Sequence, residues 1–168
     1  MRCTLADGNP VFESAVERYL ILSFTAMQPQ IDLLYELQAV NRQIHVINGD
    51  MQDFKRTFLA SMYNFRVLRR NSRVQSPHLL DPLQKTIPGH GLVLARAVSD
   101  QDLVQHDLVA PAQPAAIGTL PPSFNTDTNA YENADILALI IFYNEDFGIT
   151  NNDPIDIRIQ KLRNFLTL

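Results

Sequence analysis

The sequence predicts a mainly α protein with a minor α+β part. Apolar residues recur at spacings of three and four over most of the first 70 residues, and the last 36 residues hold two more apolar segments bounded by helix-capping and helix-ending residues. With 168 residues, 46% of them hydrophobic, the chain can bury one core without metals or disulfides. We expect an N-terminal three-helix core, a small irregular α/β middle, a proline-rich linker and a C-terminal apolar helical hairpin.

The first two helices are predicted on either side of Gln28-Pro29. Asn9-Pro10 opens the first helix, because asparagine caps free backbone N–H groups and proline fits the first helical position. Its apolar residues continue at helical spacing to Met27. The second helix resumes a helical register after Pro29, and Asn48-Gly49 supplies its C-terminal stop.

The third helix, predicted from about Met51 to Arg70, is the clearest amphipathic segment of the chain. Six large apolar residues fall on one stripe at 3.6-residue periodicity. Such a stripe is typical of a helix face that packs into a core, and we interpret it as one. The stripe consists of Met51, Phe54, Phe58, Met62, Phe65 and Leu68.

Residues 71–109 are predicted as an irregular region that contains one strand. Proline turn signals punctuate its first half. Aliphatic and β-branched residues between turn signals predict a short strand over Leu92–Val98. Ser99 and Asp102 then predict a capped short helix through His106.

Residues 110–132 are predicted to form a flexible linker. Ala110–Pro122 carries four prolines in thirteen residues and few side chains that could anchor it, which favours polyproline II. The linker would separate an N-terminal helical domain, residues 1–109, from a C-terminal hairpin, residues 133–168.

The C-terminal hairpin is predicted from its capping residues. Asn133 caps an apolar helix over Ile136–Phe147, and Gly148 ends it. Asp153-Pro154 opens a last helix. A buried strand over residues 136–143 is the alternative for the first element, because periodicity does not separate a fully buried strand from a buried helix.

Two elements of this size bury too little surface to fold alone, so the hairpin must dock either on the rest of its own chain or on a protein partner or second protomer. We predict the apolar residues of both elements as the interaction surface. These are Ile136, Leu139, Ile140, Ile155, Ile159, Leu162 and Leu166.

Charge is segregated along the chain. Six basic and no acidic residues lie between Phe54 and Leu80, whereas ten acidic residues and no Lys or Arg lie between Ala97 and Ile157, a stretch we call the acidic block. Several guanidinium groups near a helix end could contact one phosphate backbone, and a tyrosine could stack on bases. The alternative is a solvated or internally paired basic face. The predicted nucleic-acid contacts are Lys55, Arg56, Tyr63, Arg66, Arg69, Arg70 and Arg73.

Sequence signals for catalysis are weak. The chain has no GxSxG elbow, phosphate-binding loop or dinucleotide fingerprint, and its acidic and histidine residues match no known metal-site spacing, so we expect no metal and no cofactor. His90, in the turn Pro88–Gly91, is the best candidate for an acid–base residue, with Asp100 or Asp102 as its partner.

These observations favour a non-catalytic accessory or scaffolding subunit that helps to assemble a larger complex; a virus particle containing nucleic acid is one setting. The first alternative is a nucleic-acid-binding module whose residues 55–73 are contested by the acidic C-terminal half. A small hydrolase or transferase using His90 is the second. With Cys3 as the only cysteine and no apolar signal segment in MRCTLADGNP, we expect a protein of the cytoplasm or of an assembled particle, with no membrane partner.

Overall fold

The computed structural model describes the backbone of residues 10–74 and 79–167, and the side chains of residues 17–74 and 79–167 except those of residues 21, 23–29 and 31. Within those ranges the chain is mainly helical and contains no strand. The helices are α1 (Pro10–Asn71), α2 (Leu92–Gln105), α3 (Asn133–Tyr143) and α4 (Ile155–Thr167), with a 3-10 turn at Thr128–Ala130. The predicted cap Asn9 lies outside the described residues.

The N-terminal part forms one helix where three were predicted. α1 runs through both predicted breaks, Gln28-Pro29 and Asn48-Gly49, without interruption. A proline inside a helix costs about 3 kcal/mol and a glycine about 1 kcal/mol. Each added helical residue contributes a further hydrogen bond once a helix is nucleated, so long helical stretches on both sides offset these local costs.

The chain divides into two compact units, residues Met1–Met51 and residues Gln52–Leu168. The described part of the first unit consists of α1 residues only. The second unit contains the end of α1 and the other helices. The three-part division predicted at residues 109 and 132 concerns flexibility in solution, and it stays a prediction.

The core of the second unit is built around α3. Ile136, Leu137 and Ile140 of α3 are fully buried, as are Leu162 and Leu166 of α4. A helix that is apolar all round is a buried helix, and α3 is of this kind. The structure thus shows a helix where a strand over residues 136–143 was the alternative. Asn144, in a left-handed conformation, ends α3 where Gly148 was predicted to do so.

α2 corrects the predicted strand over residues 92–98. Ala95 and Val98 are buried three residues apart, which is the spacing of a helix face and not that of a strand. A kink at Ser99 interrupts the helix, and the Ser99 hydroxyl donates to Asp102 Oδ2 at 2.8 Å while accepting from the Asp102 N–H. Leu, Ala and Arg favour helix, so local propensity agrees with the structure.

Gly91 lets the start of α2 approach α3 closely. Its N–H donates to the Ile141 carbonyl at 3.0 Å. A Cβ at this position would overlap the Ile140 carbonyl oxygen and lie 3.0 Å from the Asn144 Cα. A glycine is therefore required here by backbone proximity.

The segment predicted as a flexible linker is hydrogen-bonded to the rest of the second unit. The Gly118 N–H donates to the Lys85 carbonyl at 2.8 Å, and the Lys85 N–H donates to the Thr119 carbonyl at 2.9 Å. Nearer α3, Arg163 Nε donates to Thr128 Oγ1 at 2.7 Å. Hydrogen bonds thus join this segment to the 79–91 loop and to α4.

Candidate functional site

The first unit exposes a row of large apolar side chains along α1. Each member is at least half exposed, from 50% for Val40 and Ile44 to 62% for Ile47. Single exposed apolar residues are normal on a protein surface, but a contiguous row marks an interaction site. The row, which we call the seam, consists of Leu33, Leu37, Val40, Ile44, Ile47 and Met51.

The predicted core stripe of residues 51–68 is largely exposed. Phe54 and Phe65 expose more than 60% of their surface, and Phe58 and Met62 are also exposed. Only Leu68 packs against the core of the second unit. The prediction of a core face is therefore wrong for this part of α1, because the helix buries Ala60 and Val67 instead.

Four of the predicted basic residues come together on the surface of the second unit. Arg66, Arg69, Arg70 and Arg73 line one surface concavity together with Val74. We call these four residues the arginine cluster. The negative end of the α1 dipole favours cations here, and Arg69 and Arg70 lie in its last turn. Arg70 also forms an ion pair with Asp81 at 2.5 Å.

The other predicted nucleic-acid contacts lie outside the arginine cluster. Lys55 is exposed on α1, and Arg56 pairs with Asp53 at 3.2 Å across one helical turn. Tyr63 is half-buried and packs against the core, so only part of its ring faces solvent.

The acidic block has ion-pair partners of its own in the second unit. Arg96 lies 4.0 Å from Asp100, and Lys161 lies 2.7 Å from Asp153. The hydrogen bond from Lys161 lowers the pKa of Asp153. The two ion pairs described for the basic residues between Phe54 and Leu80 use Asp53 and Asp81, which both lie outside the acidic block.

Arg158 and Lys85 are buried cations that sequence reasoning missed. Arg158 lies 3.9 Å from Asp102 and donates to the Asp153 carbonyl at 2.8 Å. Lys85 is fully buried, and its Nζ donates to the Phe142 carbonyl oxygen and sits 5.5 Å from the centre of the Phe142 ring. Burial lowers the pKa of Lys85. Both cations donate hydrogen bonds to backbone carbonyl oxygens, and no sequence motif indicates that role.

His90 lines a mainly apolar cavity of about 240 Å³. Asp135, Tyr131 and Phe142 also line it. The Asp135 carboxylate accepts from the Glu132 N–H at 2.9 Å, so it caps α3. The carboxylates predicted to serve His90 have other neighbours: Arg96 for Asp100, and Ser99 and Arg158 for Asp102.

Most of the predicted interaction hairpin lies in the core of the second unit. Five of its seven residues are buried: Ile136, Leu139, Ile140, Leu162 and Leu166. Ile159 is partly buried against the same core, and Ile155 is 40% exposed. These side chains pack mainly on their own chain, and the seam offers the larger unburied apolar surface.

In the described residues, no three His, Cys, Asp or Glu side chains come together as a metal site requires. No helix in the described part of the chain is both long and apolar enough to cross a bilayer. Comparisons with protein families, with curated proteins and with solved structures found no match.

Proposed function

We propose that this chain is a non-catalytic accessory or scaffolding subunit and that the seam of α1 is the surface through which it docks on other protein chains of a larger complex. The observation that carries the proposal is the exposure of all six seam residues, each by half or more. When a protein surface covers an apolar row on a helix, the free energy falls, because the row is removed from water.

The free energy released by covering the seam is of the same order as the cost of association. Full burial of a Leu, Ile, Val or Met side chain contributes about 1.5–3 kcal/mol, so covering the exposed half of each seam residue contributes about 1 kcal/mol. Six residues per chain supply several kcal/mol against the cost of association. The hairpin residues supply little more, because most of their surface is already buried.

The setting of such a subunit is part of the proposal. A complex that contains nucleic acid, such as a virus particle, would use both the seam and the arginine cluster. A location in the cytoplasm or inside the assembled particle agrees with a single cysteine that forms no intrachain disulfide.

Site-specific photo-crosslinking in cells that make the protein tests the docking surface. A photoreactive residue in place of Ile44, on the seam, should form a covalent product with a protein chain identified by its peptides. The matched control is Arg42, which is exposed on the same helix and lies off the seam. Equal crosslinking from both positions, or none from Ile44, would contradict the proposal.

The second candidate function is binding to a nucleic-acid backbone, and the arginine cluster favours it. Four guanidinium groups around one concavity could pair with several phosphates. Each phosphate that a cation neutralises contributes about −0.9 to the slope of log affinity against log salt on duplex DNA. Three or more neutralised phosphates therefore predict a slope steeper than about −2.7.

Paired variants connect that slope to the cluster. Arg69→Gln with Arg73→Gln should make the slope shallower by about 1.8, because two fewer phosphates are neutralised. Arg56→Gln, outside the cluster, is the control for removal of a positive charge. Absence of binding by the full chain at low salt would exclude this candidate.

A further inference from the structure

The seam follows a heptad repeat. Its six residues, from Leu33 to Met51, are separated alternately by four and three positions. In heptad notation Leu37, Ile44 and Met51 occupy a positions, and the other three occupy d positions. The same spacing continues in the sequence at Phe54 and Phe58. A helix much longer than about 25 residues with apolar a and d positions is typical of a coiled coil.

We propose that the partner of the seam is the same seam of further copies of this chain, and that three or four copies form a parallel, in-register coiled coil. This inference rests on the proposed function and names its partner. A regular heptad seam fits another heptad seam, because each a or d side chain inserts between four residues of a facing helix with the same repeat.

The residues at the a and d positions set the number of copies. Val40, Ile44 and Ile47 form three consecutive β-branched layers, at d, a and d. Two-stranded parallel coiled coils favour β-branched residues at a and leucine at d, whereas isoleucine at both positions shifts the preference to three or four strands. The seam has no leucine at d in these layers, so it disfavours a dimer.

The flanking residues set the orientation. Glu36 and Asp50 occupy g positions, and Asn41 and Asn48 occupy e positions. In an antiparallel arrangement with full overlap, Leu37 would face Ile47 of the second copy, and the two acidic g residues would then face each other. Like charges in such positions oppose assembly.

A parallel arrangement removes this repulsion. Each g residue then faces the e residue five positions later on the neighbouring copy, so Glu36 faces Asn41 and Gln43 faces Asn48. The asparagine side chain can donate a hydrogen bond to the carboxylate or to the glutamine oxygen. Orientation is therefore fixed by pairs that are neutral or complementary.

The test of stoichiometry uses purified full-length chain and two matched variants. Light scattering across a dilution series should give three or four times the 19.0 kDa chain mass. Val40→Glu places a carboxylate in each copy at the centre of the seam and should weaken the association constant by ~10³-fold. Val46→Glu changes another exposed valine of α1 that lies off the seam, and it should leave the mass unchanged.

The test of orientation uses single cysteines in a Cys3→Ser background. In a parallel, in-register bundle, mild oxidation joins two copies of the Leu33→Cys variant through a disulfide at residue 33. Two copies of the Met51→Cys variant are joined at residue 51 in the same way. In the antiparallel alternative these two positions face each other, so only a mixture of the two variants crosslinks. That result would overturn the proposed orientation.

The outcomes separate this inference from the proposed function. A dimer, or equal effects of Val40→Glu and Val46→Glu, overturns the inference about copies of the same chain. A purified monomer also overturns it, whether or not it is helical by circular dichroism. The proposed function survives any of these results if the Ile44 crosslink in cells identifies a different protein, and it fails with the inference if no protein is crosslinked there.

Discussion

The guanidinium of Arg158, with only 5% of the residue exposed, joins several parts of the second unit. It donates to Asn133 Oδ1 at 3.2 Å and to two backbone carbonyls in the 151–153 turn, and it lies 3.9 Å from Asp102. α2, α3 and α4 thus meet at one cation. Removal of one partner of a buried charged network leaves the others unsatisfied.

Arg158→Met should lower the free energy of unfolding by about 3 kcal/mol, because the apolar stem is kept while several hydrogen-bond acceptors, most of them partly buried, lose their donor. Urea unfolding of the purified variant measures this change. Arg56→Met is the control, since Arg56 and Asp53 form an exposed pair and the loss should stay within about 0.5 kcal/mol. Equal losses in the two variants would contradict the assigned role.

Tyr131 should make the second unit sensitive to alkali. Burial raises the pKa of Tyr131 to about 12, although the hydrogen bond from the Asn125 N–H opposes the shift. Above the ordinary tyrosine value of about 10, the unfolded chain loses the phenol proton and the folded chain keeps it. Stability should therefore fall by up to about 1.4 kcal/mol per pH unit between about pH 10 and about pH 12.

Tyr131→Phe should reduce the alkaline decline, measured as the difference between urea midpoints at about pH 9 and about pH 11. Burial also raises the pKa of Tyr143, so part of the decline should remain. Tyr35→Phe, which changes an exposed tyrosine, is the control and should follow the wild-type profile. An unchanged decline in Tyr131→Phe would show that this phenol does not titrate as described.

At the level of elements, the two C-terminal helices were easier to predict than the rest of the chain. α4 was predicted from Asp153-Pro154 and its apolar face, and α3 from an apolar run with a helix-ending signal. The residues that predict these two helices lie within the helices or directly beside them. The second half of α2 was predicted from Ser99 and Asp102, which form the expected hydrogen bonds. Its first half was predicted wrongly as a strand, because residues 92–98 are rich in aliphatic side chains, and only the burial of Ala95 and Val98 shows the helical spacing.

The candidate site was hidden by a wrong boundary. A predicted helix end at Asn48-Gly49 divided the seam between two elements and concealed its repeat. Proline and glycine mark positions where a helix can end. Whether the helix continues through them depends on the free energy of helix formation in the residues on both sides. Four of the seven predicted nucleic-acid contacts lie together near the end of α1. Lys55 and Arg56 lie ten or more residues earlier, which is about 15 Å along the helix axis.

The core of the second unit predicts which part of the chain folds alone. The members of its hydrophobic cluster lie between Val67 and Leu166. A chain that begins at Gln52 should therefore unfold cooperatively, with a urea midpoint close to that of the Val40→Glu variant of the whole chain.

Removal of residues 155–168 takes Leu162 and Leu166 out of the core and should abolish cooperative unfolding. A cooperative transition in that shorter chain would contradict the assignment of α4 to the core.

At the scale of the whole molecule, the net charge of −4 is a sum in which a basic stretch and an acidic stretch partly cancel. Three of the ten carboxylates in the acidic block form ion pairs within the second unit, with Arg96, Arg158 and Lys161. The arginine cluster remains at the surface, and the seam remains exposed in the first unit. We propose these two exposed surfaces as the sites at which the protein contacts other molecules.

Association of copies of this chain through the seam is tested most directly by the mass of the purified 168-residue chain in solution, measured by sedimentation across a dilution series. Three or four times the 19.0 kDa chain mass, reduced to a single chain by Val40→Glu and unchanged by Val46→Glu, is the predicted result. A mass of 19.0 kDa at every concentration for the wild-type chain would contradict assembly through the seams of its own copies.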